Sequence, residues 1–169
     1  SAIKTRTIIM FAGPLAHHLE KFYIPHAQGC TLGKRSIAAH RYALESLGIT
    51  IDVTQKEYFI TRGALKPAEI VMYEAGDTAI ENVLMGAALI PGKTVIKFAS
   101  GNYMVQEICF FLEKCGVKVE GIGTSTITVH GVAEINDTSE YPNSEDPIES
   151  MTFISAAVAT DSTLTITHC

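Results

Sequence analysis

Leu44-Glu45-Ser46-Leu47-Gly48-Ile49-Thr50-Ile51 returns sixty-eight residues later as Leu112-Glu113-Lys114-Cys115-Gly116-Val117-Lys118-Val119. The same offset carries Gly63 onto Gly131 and Ile80-Glu81 onto Ile148-Glu149, so three separated landmarks share one gap-free spacing. Such a period is a duplicated supersecondary unit, and it restricts the chain to folds that assemble like units around a shared core.

Within the first unit the apolar pattern predicts a helix over about Ile37 to Leu47, ended by Gly48, then alternating strands over Ile49 to Val53 and Tyr58 to Thr61. The second copy predicts a helix over about Met104 to Lys114, ended by Gly116, with strands over Val117 to Glu120 and Ser125 to Val129. Between them fall a strand near Glu69 to Met72, a helix near Thr78 to Leu89 and a strand at Thr94 to Phe98, turned by Pro91-Gly92. Each unit is close to strand, helix, strand, helix, strand, strand, which places the chain in the α/β class (α+β in some schemes).

The copies differ most where a strand meets the following helix. Phe98 is followed almost directly by Asn102 to Gln106, whereas Ile24 is separated from its helix by His26 to Arg35. The extra loop holds Gly29-Cys30-Thr31-Leu32-Gly33-Lys34-Arg35. Neighbouring Lys34 and Arg35 stabilise a thiolate, and the glycines let a substrate approach the sulfur, so Cys30 is the candidate reactive group. A phosphate-cradling P-loop is rejected. It needs four residues between its glycines and Ser or Thr after the lysine, while here three intervene and Arg35 follows.

The 169 residues are 47% apolar and 18% charged, enough for one domain with a full core. The net charge of -5 and the lack of a basic cluster interleaved with aromatics argue against a nucleic-acid partner. No apolar run is long enough for a membrane span and the start lacks the order of a secretory signal, so a cytoplasmic protein is expected. Cys30, Cys109, Cys115 and Cys169 form no Cys-x-x-Cys pair, so neither a disulfide framework nor zinc is expected. Cys109 and Cys115, beside Phe110, Phe111 and Leu112, read as buried structural thiols. His17-His18 reads as a solvated face rather than a metal site, since adjacent helical residues point about 100° apart.

Asn136 to Pro147 is polar and proline-marked and reads as a linker, so Glu145, Asp146 and Glu149 need no catalytic role. The expected organisation is two repeats over residues 1–135, a linker over 136–147, and residues 148–169 opening a third copy through Ile148 to Ala159 and Thr163 to Thr167. The unfinished copy and the abrupt opening at Lys4-Thr5-Arg6 suggest a piece of a longer protein, with Ser1-Ala2 an expression scar. Exposed strand edges in such a piece make self-association an expectation.

Arg6 with Ala12-Gly13-Pro14-Leu15, the Gly29 to Arg35 run with His40, Glu81-Asn82 before an alanine-rich helix, Gly121-Ile122-Gly123-Thr124, and Ile148-Glu149 before Thr152-Phe153 are ordered landmarks. Together they make the chain similar to the enolpyruvyl transferases, most closely to those whose acceptor is UDP-N-acetylglucosamine, over nearly its whole length. The resemblance implies an inside-out α/β barrel of three repeats per domain, helices inside and sheets outside, of which this chain supplies a part. It implies transfer of the enolpyruvyl group of phosphoenolpyruvate to the 3-hydroxyl of UDP-N-acetylglucosamine in peptidoglycan synthesis, with neither metal nor organic cofactor.

By the same resemblance Cys30 acts at the phosphoenolpyruvate carbon, as proton donor and adduct site. Arg6 and Arg35 meet its phosphate and carboxylate, anions that suit a planar guanidinium. The nucleotide is expected against Arg35, Ser36, Ile37, Ala38 and Ala39, with His40 beyond, and against the turn Glu74, Ala75, Gly76 and Asp77. Four departures from the pattern stand out: Gly76-Asp77-Thr78-Ala79 in place of a Ser-Val-Thr-Gly turn, His26-Ala27-Gln28-Gly29 in place of Leu-Pro-Gly-Gly before the cysteine, Ala38 where aspartate is frequent, and Pro147 where arginine is common at the domain crossing. An idle UDP-sugar-binding relative, or a same-fold transferase such as the shikimate-pathway enzyme or an RNA phosphate cyclase, is the alternative. The cysteine loop argues against the shikimate enzyme, and the acidic balance argues against RNA.

Overall fold

A computed structural model describes residues 6–26, 36–135 and 140–167, with the backbone alone at Arg6. The chain divides into two units, Ser1–Ser139 and Glu140–Cys169.

The first unit opens with a 3-10 helix, Arg6–Phe11, running into α1, Ala12–Leu15. There follow β1 (Lys21–Pro25), α2 (Ala38–Ser46), β2 (Ile49–Val53), β3 (Glu57–Arg62), β4 (Glu69–Val71), α3 (Asp77–Ala88), β5 (Gly92–Lys97), α4 (Tyr103–Lys114), β6 (Lys118–Glu120) and β7 (Thr126–Gly131). The strands form two sheets in the orders β1-β3-β2 and β4-β5-β7-β6. Strands β1, β3 and β2 are arranged as β5, β7 and β6 are, every one of these pairs antiparallel, with parallel β4 added at the edge of the second sheet. The duplicated sequence thus folds as duplicated structure.

Alternation decides which face each sheet buries. Phe22, Ile60 and Ile51 lie in register across the first sheet, and Ile70, Ile96 and Ile127 across the second, all six buried. Helix α3 is an interior helix, with Ala79 to Leu84 and Gly86 to Ala88 all buried. A helix with buried residues around most of its circumference lies inside rather than on a surface. It packs against α1, α2, α4 and β7, which is the helix-inside arrangement expected of the barrel. In this chain the barrel is not closed.

Helix ends fall where glycine permits them. Gly48 and Gly116 take φ of 93° and 91° at equivalent places after α2 and α4. At the second, the Gly116 N–H donates to Glu113 O (3.0 Å) and the Val117 N–H to Leu112 O (2.9 Å), the paired bonds of a Schellman motif.

In the second unit α5, Pro147–Ala159, starts at Asp146, whose Oδ1 accepts from the N–H groups of Ile148 and Glu149 at 2.8 and 3.3 Å. Proline at the first helical position loses no bond it could have made. No residue of α5 is buried, and Ile148, Met151, Phe153, Ile154 and Val158 are exposed. Thr163 to Thr167, expected to continue the third copy, form no strand: their counterpart β5 is held between β4 and β7, and this unit contains no such neighbours.

Cys109 and Cys115 are both buried, as expected, and burial pushes the Cys109 thiol up to about 12, which makes it inert. His17 departs from expectation. While His18 is exposed, His17 is half-buried, its Nε2–H donating to Gly86 O at 2.8 Å where α1 crosses α3, and that burial lowers its pKa. Among the described residues no helix is long and apolar enough to cross a membrane.

Candidate functional site

Of the residues expected to meet substrate, most of the described ones fall at or just before helix starts, and the structure brings several of those starts together. Ile37 is the N-cap of α2, Gly76 of α3 and Asn102 of α4, and none of the three makes a side-chain cap bond. His40 in the first turn of α2 lies with Nε2 3.4 Å from Thr78 Oγ1 in the first turn of α3. Asn102 Nδ2 donates to Asp77 Oδ2 at 2.8 Å, which ties the start of α4 to the first residue of α3. Adjoining helix N-termini present backbone N–H groups and the positive ends of their dipoles, an arrangement that favours an anionic ligand.

Ser36 and Ala38 are exposed and Ile37 is half-buried, with Ser36 Oγ accepting from the Ala38 N–H at 3.0 Å. Ala39 is buried, at 3% exposed. Glu74 and Ala75 are exposed, while Gly76 and Asp77 are half-buried. Cys30 and Arg35 lie outside the described residues, and so does the side chain of Arg6, whose backbone begins the 3-10 helix.

Behind the helix starts sits a polar knot that sequence reasoning missed. Asn82 is fully buried on α3, where its Oδ1 accepts from the Gly13 N–H at 2.8 Å and its Nδ2 donates to Ile9 O at 3.0 Å. Nδ2 also lies 3.1 Å from His40 Nδ1. Because the Gly13 N–H fixes which amide atom is oxygen, Nδ2 must be the donor to His40, so Nδ1 holds the lone pair and Nε2 the proton. The signal was present: an asparagine beside Glu81 in the mostly apolar run Ile80 to Ala88 has to find partners once that run is buried.

His40 is 7% exposed, and burial lowers its pKa to about 4. A histidine whose folded value lies below its unfolded value of about 6.5 contributes stability that is whole above the unfolded value and lost as pH falls toward the folded one. Unfolding free energy should therefore fall by about 2 kcal/mol from His40 alone between about pH 7 and pH 5. The lowered His17 adds in the same direction, whereas Glu81, raised by burial and by the Asp77 charge, opposes it. Urea unfolding of the chain and of His40→Gln at both pH values checks this. Equal slopes against pH in the two proteins would remove His40 as the cause.

Among the described residues no three His, Cys, Asp or Glu side chains converge as metal ligands.

A family model described as EPSP synthase (3-phosphoshikimate 1-carboxyvinyltransferase) matches residues 6–169. The chain belongs to the EPSP synthase family. Its relatives within the EPSP synthase family include a UDP-N-acetylglucosamine 1-carboxyvinyltransferase of Treponema denticola, 37% identical over 166 residues, covering 98% of this chain and 38% of the relative. One of the same name from Campylobacter hominis is also 37% identical, over 98% of this chain and 40% of the relative. The chain thus spans about two-fifths of the length of these relatives. Among solved structures, the enolpyruvyl transferase NikO from Streptomyces tendae superposes with a TM-score of 0.68 at 20% identity, over 85% of this chain and 34% of that one. EPSP synthase from Acinetobacter baumannii gives 0.59 at 20% identity, over 80% and 31%. At these identities the superpositions establish the fold alone.

Proposed function

We propose that the whole protein transfers the enolpyruvyl group of phosphoenolpyruvate to the 3-hydroxyl of UDP-N-acetylglucosamine, in the cytoplasm, as a step of peptidoglycan synthesis. The observation that carries this reading is the 37% identity, along nearly the whole chain, to proteins bearing that activity in their name. The acceptor oxygen bonds to the enol carbon, the carbon–oxygen bond to phosphate breaks, and phosphate leaves with the hydroxyl proton. Cys30 donates a proton to the phosphoenolpyruvate methylene carbon, which returns one to the thiolate as phosphate leaves and the carbon–carbon double bond re-forms, and the same sulfur is the site of a covalent adduct. Arg6 and Arg35 hold the phosphate and carboxylate, and two fixed cations favour the charge that develops on the departing phosphate.

In this reading the nucleotide lies along Arg35 to Ala39 and His40, across to Glu74, Ala75, Gly76 and Asp77. The adjoining starts of α2 and α3 support that path, since helix N-termini carry the positive ends of their dipoles and the backbone N–H groups beyond Ala38, whose own N–H is held by Ser36 Oγ, can donate to phosphate oxygens. Residues 1–135 are two repeats of one barrel domain, residues 136–147 the crossing, and residues 148–169 the start of the next repeat. The chain alone does not turn over, because half a cleft cannot align two substrates.

One observation favours a second reading. The Asp77 carboxylate stands at the start of α3 near Glu81, whose pKa it raises, and this acidity suits an acceptor whose anionic part lies elsewhere. A same-fold transferase with another acceptor fits that feature.

The test is phosphate release from phosphoenolpyruvate by the whole protein. Release that depends on UDP-N-acetylglucosamine, together with fosfomycin labelling confined to the Cys30 peptide, is expected, with no release by the 169-residue chain alone. Release only with a different acceptor would select the second reading. Neither release nor labelling would mark an idle relative.

A further inference from the structure

Asn82 binds three segments of the chain at once. It takes the N–H of Gly13 in α1, gives one amide hydrogen to the carbonyl of Ile9 in the 3-10 helix, and gives the other to the ring of His40 on α2. Those partners lie forty-two to seventy-three residues away in sequence. Asn82 is fully buried, so water is not a competing partner for any of the three. The 3-10 helix begins at Arg6, and α2 begins three residues beyond Arg35.

We propose that Asn82 is a positioning residue: it sets the tautomer and ring orientation of His40 while pinning the Arg6–Phe11 segment, holding the two substrate-facing segments at one spacing. The proposal deepens the reading above, on which the substrate-facing role of those segments rests.

Four properties of the site support it. Asparagine is needed rather than an isosteric carboxylate, because two of the three partners, Ile9 O and His40 Nδ1, are acceptors that require hydrogens. With Nδ1 occupied as an acceptor, the only ring proton of neutral His40 is on Nε2, on the side of the exposed Thr78 at the helix starts. That edge can then donate to a ligand oxygen. The other tautomer would present a lone pair there and would leave the asparagine amide facing a second N–H. Thr78 is the weaker determinant, since its hydroxyl rotates to donate or accept and its separation from Nε2 is 3.4 Å.

The ring nitrogens of His40, observed by nitrogen-15 NMR on this chain at neutral pH, test the assignment directly. Expected is a proton on Nε2 and none on Nδ1. In Asn82→Asp the carboxylate still accepts from Gly13 but offers His40 no hydrogen, so Nδ1 should gain a proton. Thr78→Val should leave the ring as it is. A proton on Nδ1 in the unsubstituted chain, an unchanged ring in a folded Asn82→Asp, or a ring switched by Thr78→Val would each overturn the proposal. The first and third of these need no Asn82 variant to fold.

The tie to α1, into which the Arg6–Phe11 segment runs directly, has its own readout in the exchange of the Gly13 amide, expected to be faster by about tenfold or more in Asn82→Ala than in the parent chain. Equal exchange would overturn that half. Adding UDP-N-acetylglucosamine to the whole protein, labelled in the same way, separates the two readings. An Asn82-dependent tautomer with no ligand-induced change at His40 would sink the nucleotide reading and leave the positioning role standing, whereas a ligand-induced change with an Asn82-independent tautomer would do the reverse.

Discussion

Gly13→Ala should destabilise the chain by about 3 kcal/mol, because no space exists for the added methyl and a buried hydrogen bond goes with it. A Cβ built on Gly13 would fall inside contact distance of the Asn82 backbone oxygen, 2.8 Å from Asn82 Oδ1 and 3.1 Å from the Gly86 nitrogen. These are backbone and a doubly committed amide, neither of which can swing aside as the end of a flexible chain could. Relief requires α1 to move away from α3. That displacement stretches the bond from the Gly13 N–H to Asn82 and the bond from His17 Nε2 to Gly86 O, two contacts that exist only because the helices touch. Gly86 contributes from the other side, since its own added Cβ would sit 3.5 Å from Gly13 Cα and 3.3 Å from Leu44 Cδ2. Thermal unfolding should register a midpoint lower by roughly 6 to 12 °C for a chain of this size. Gly76→Ala is the matched control. Its φ of -80° and ψ of 113° suit any residue, the nearest atom to its added Cβ is the Glu74 carboxylate at 3.4 Å, and a change within about 0.5 kcal/mol is expected. Equal midpoints for the two variants would mean that the crossing has slack and that Asn82 is not held by it.

What could be read from the sequence follows from how local each signal is. The ends of α2 and α4 were legible because Gly48 and Gly116 announce a left-handed residue whatever lies elsewhere in the chain. Strands β2, β3, β6 and β7 were legible from alternation, and the duplication made each copy a check on the other. Sheet order was not, since β5 pairs with β7 across an intervening helix and strand, and nothing in either segment names its partner. His17 and His18 look alike in sequence. Only the approach of α1 to α3 buries one and leaves the other in water, so the expectation of a solvated pair failed for His17.

The site divides in the same way. Local chemistry marked Cys30 through Lys34 and Arg35, and ordered landmarks marked Arg6 and His40. The meeting of three helix starts depends on packing, as does the Asn82 knot, whose partners lie in three separate segments. Asn82 was noticed as a landmark. Its work depends on residues brought near only by folding.

The largest effect on chemistry is expected at Cys30. Removing a positioned proton donor lowers a rate by about two to four powers of ten, so Cys30→Ala in the whole protein should reduce kcat for phosphate release within that range. The binding of UDP-N-acetylglucosamine should change little, because the proposed mechanism has the thiol serve the phosphoenolpyruvate carbon and puts the nucleotide along the helix starts. A loss confined to kcat is the mark of an interaction made in the transition state, and a rise in KM for the nucleotide would instead give the loop a binding role. The other cysteines supply the internal comparison. Cys109 is fully buried with its thiol pushed up to about 12, so Cys109→Ala should lower stability through a small cavity and leave kcat where it was. Fosfomycin should label the parent protein and Cys109→Ala alike and fail on Cys30→Ala. Retention of the parent kcat by Cys30→Ala would refute proton donation by the thiol, and with it the reason for a glycine-flanked cysteine beside two cations in a loop that the repeat itself does not require.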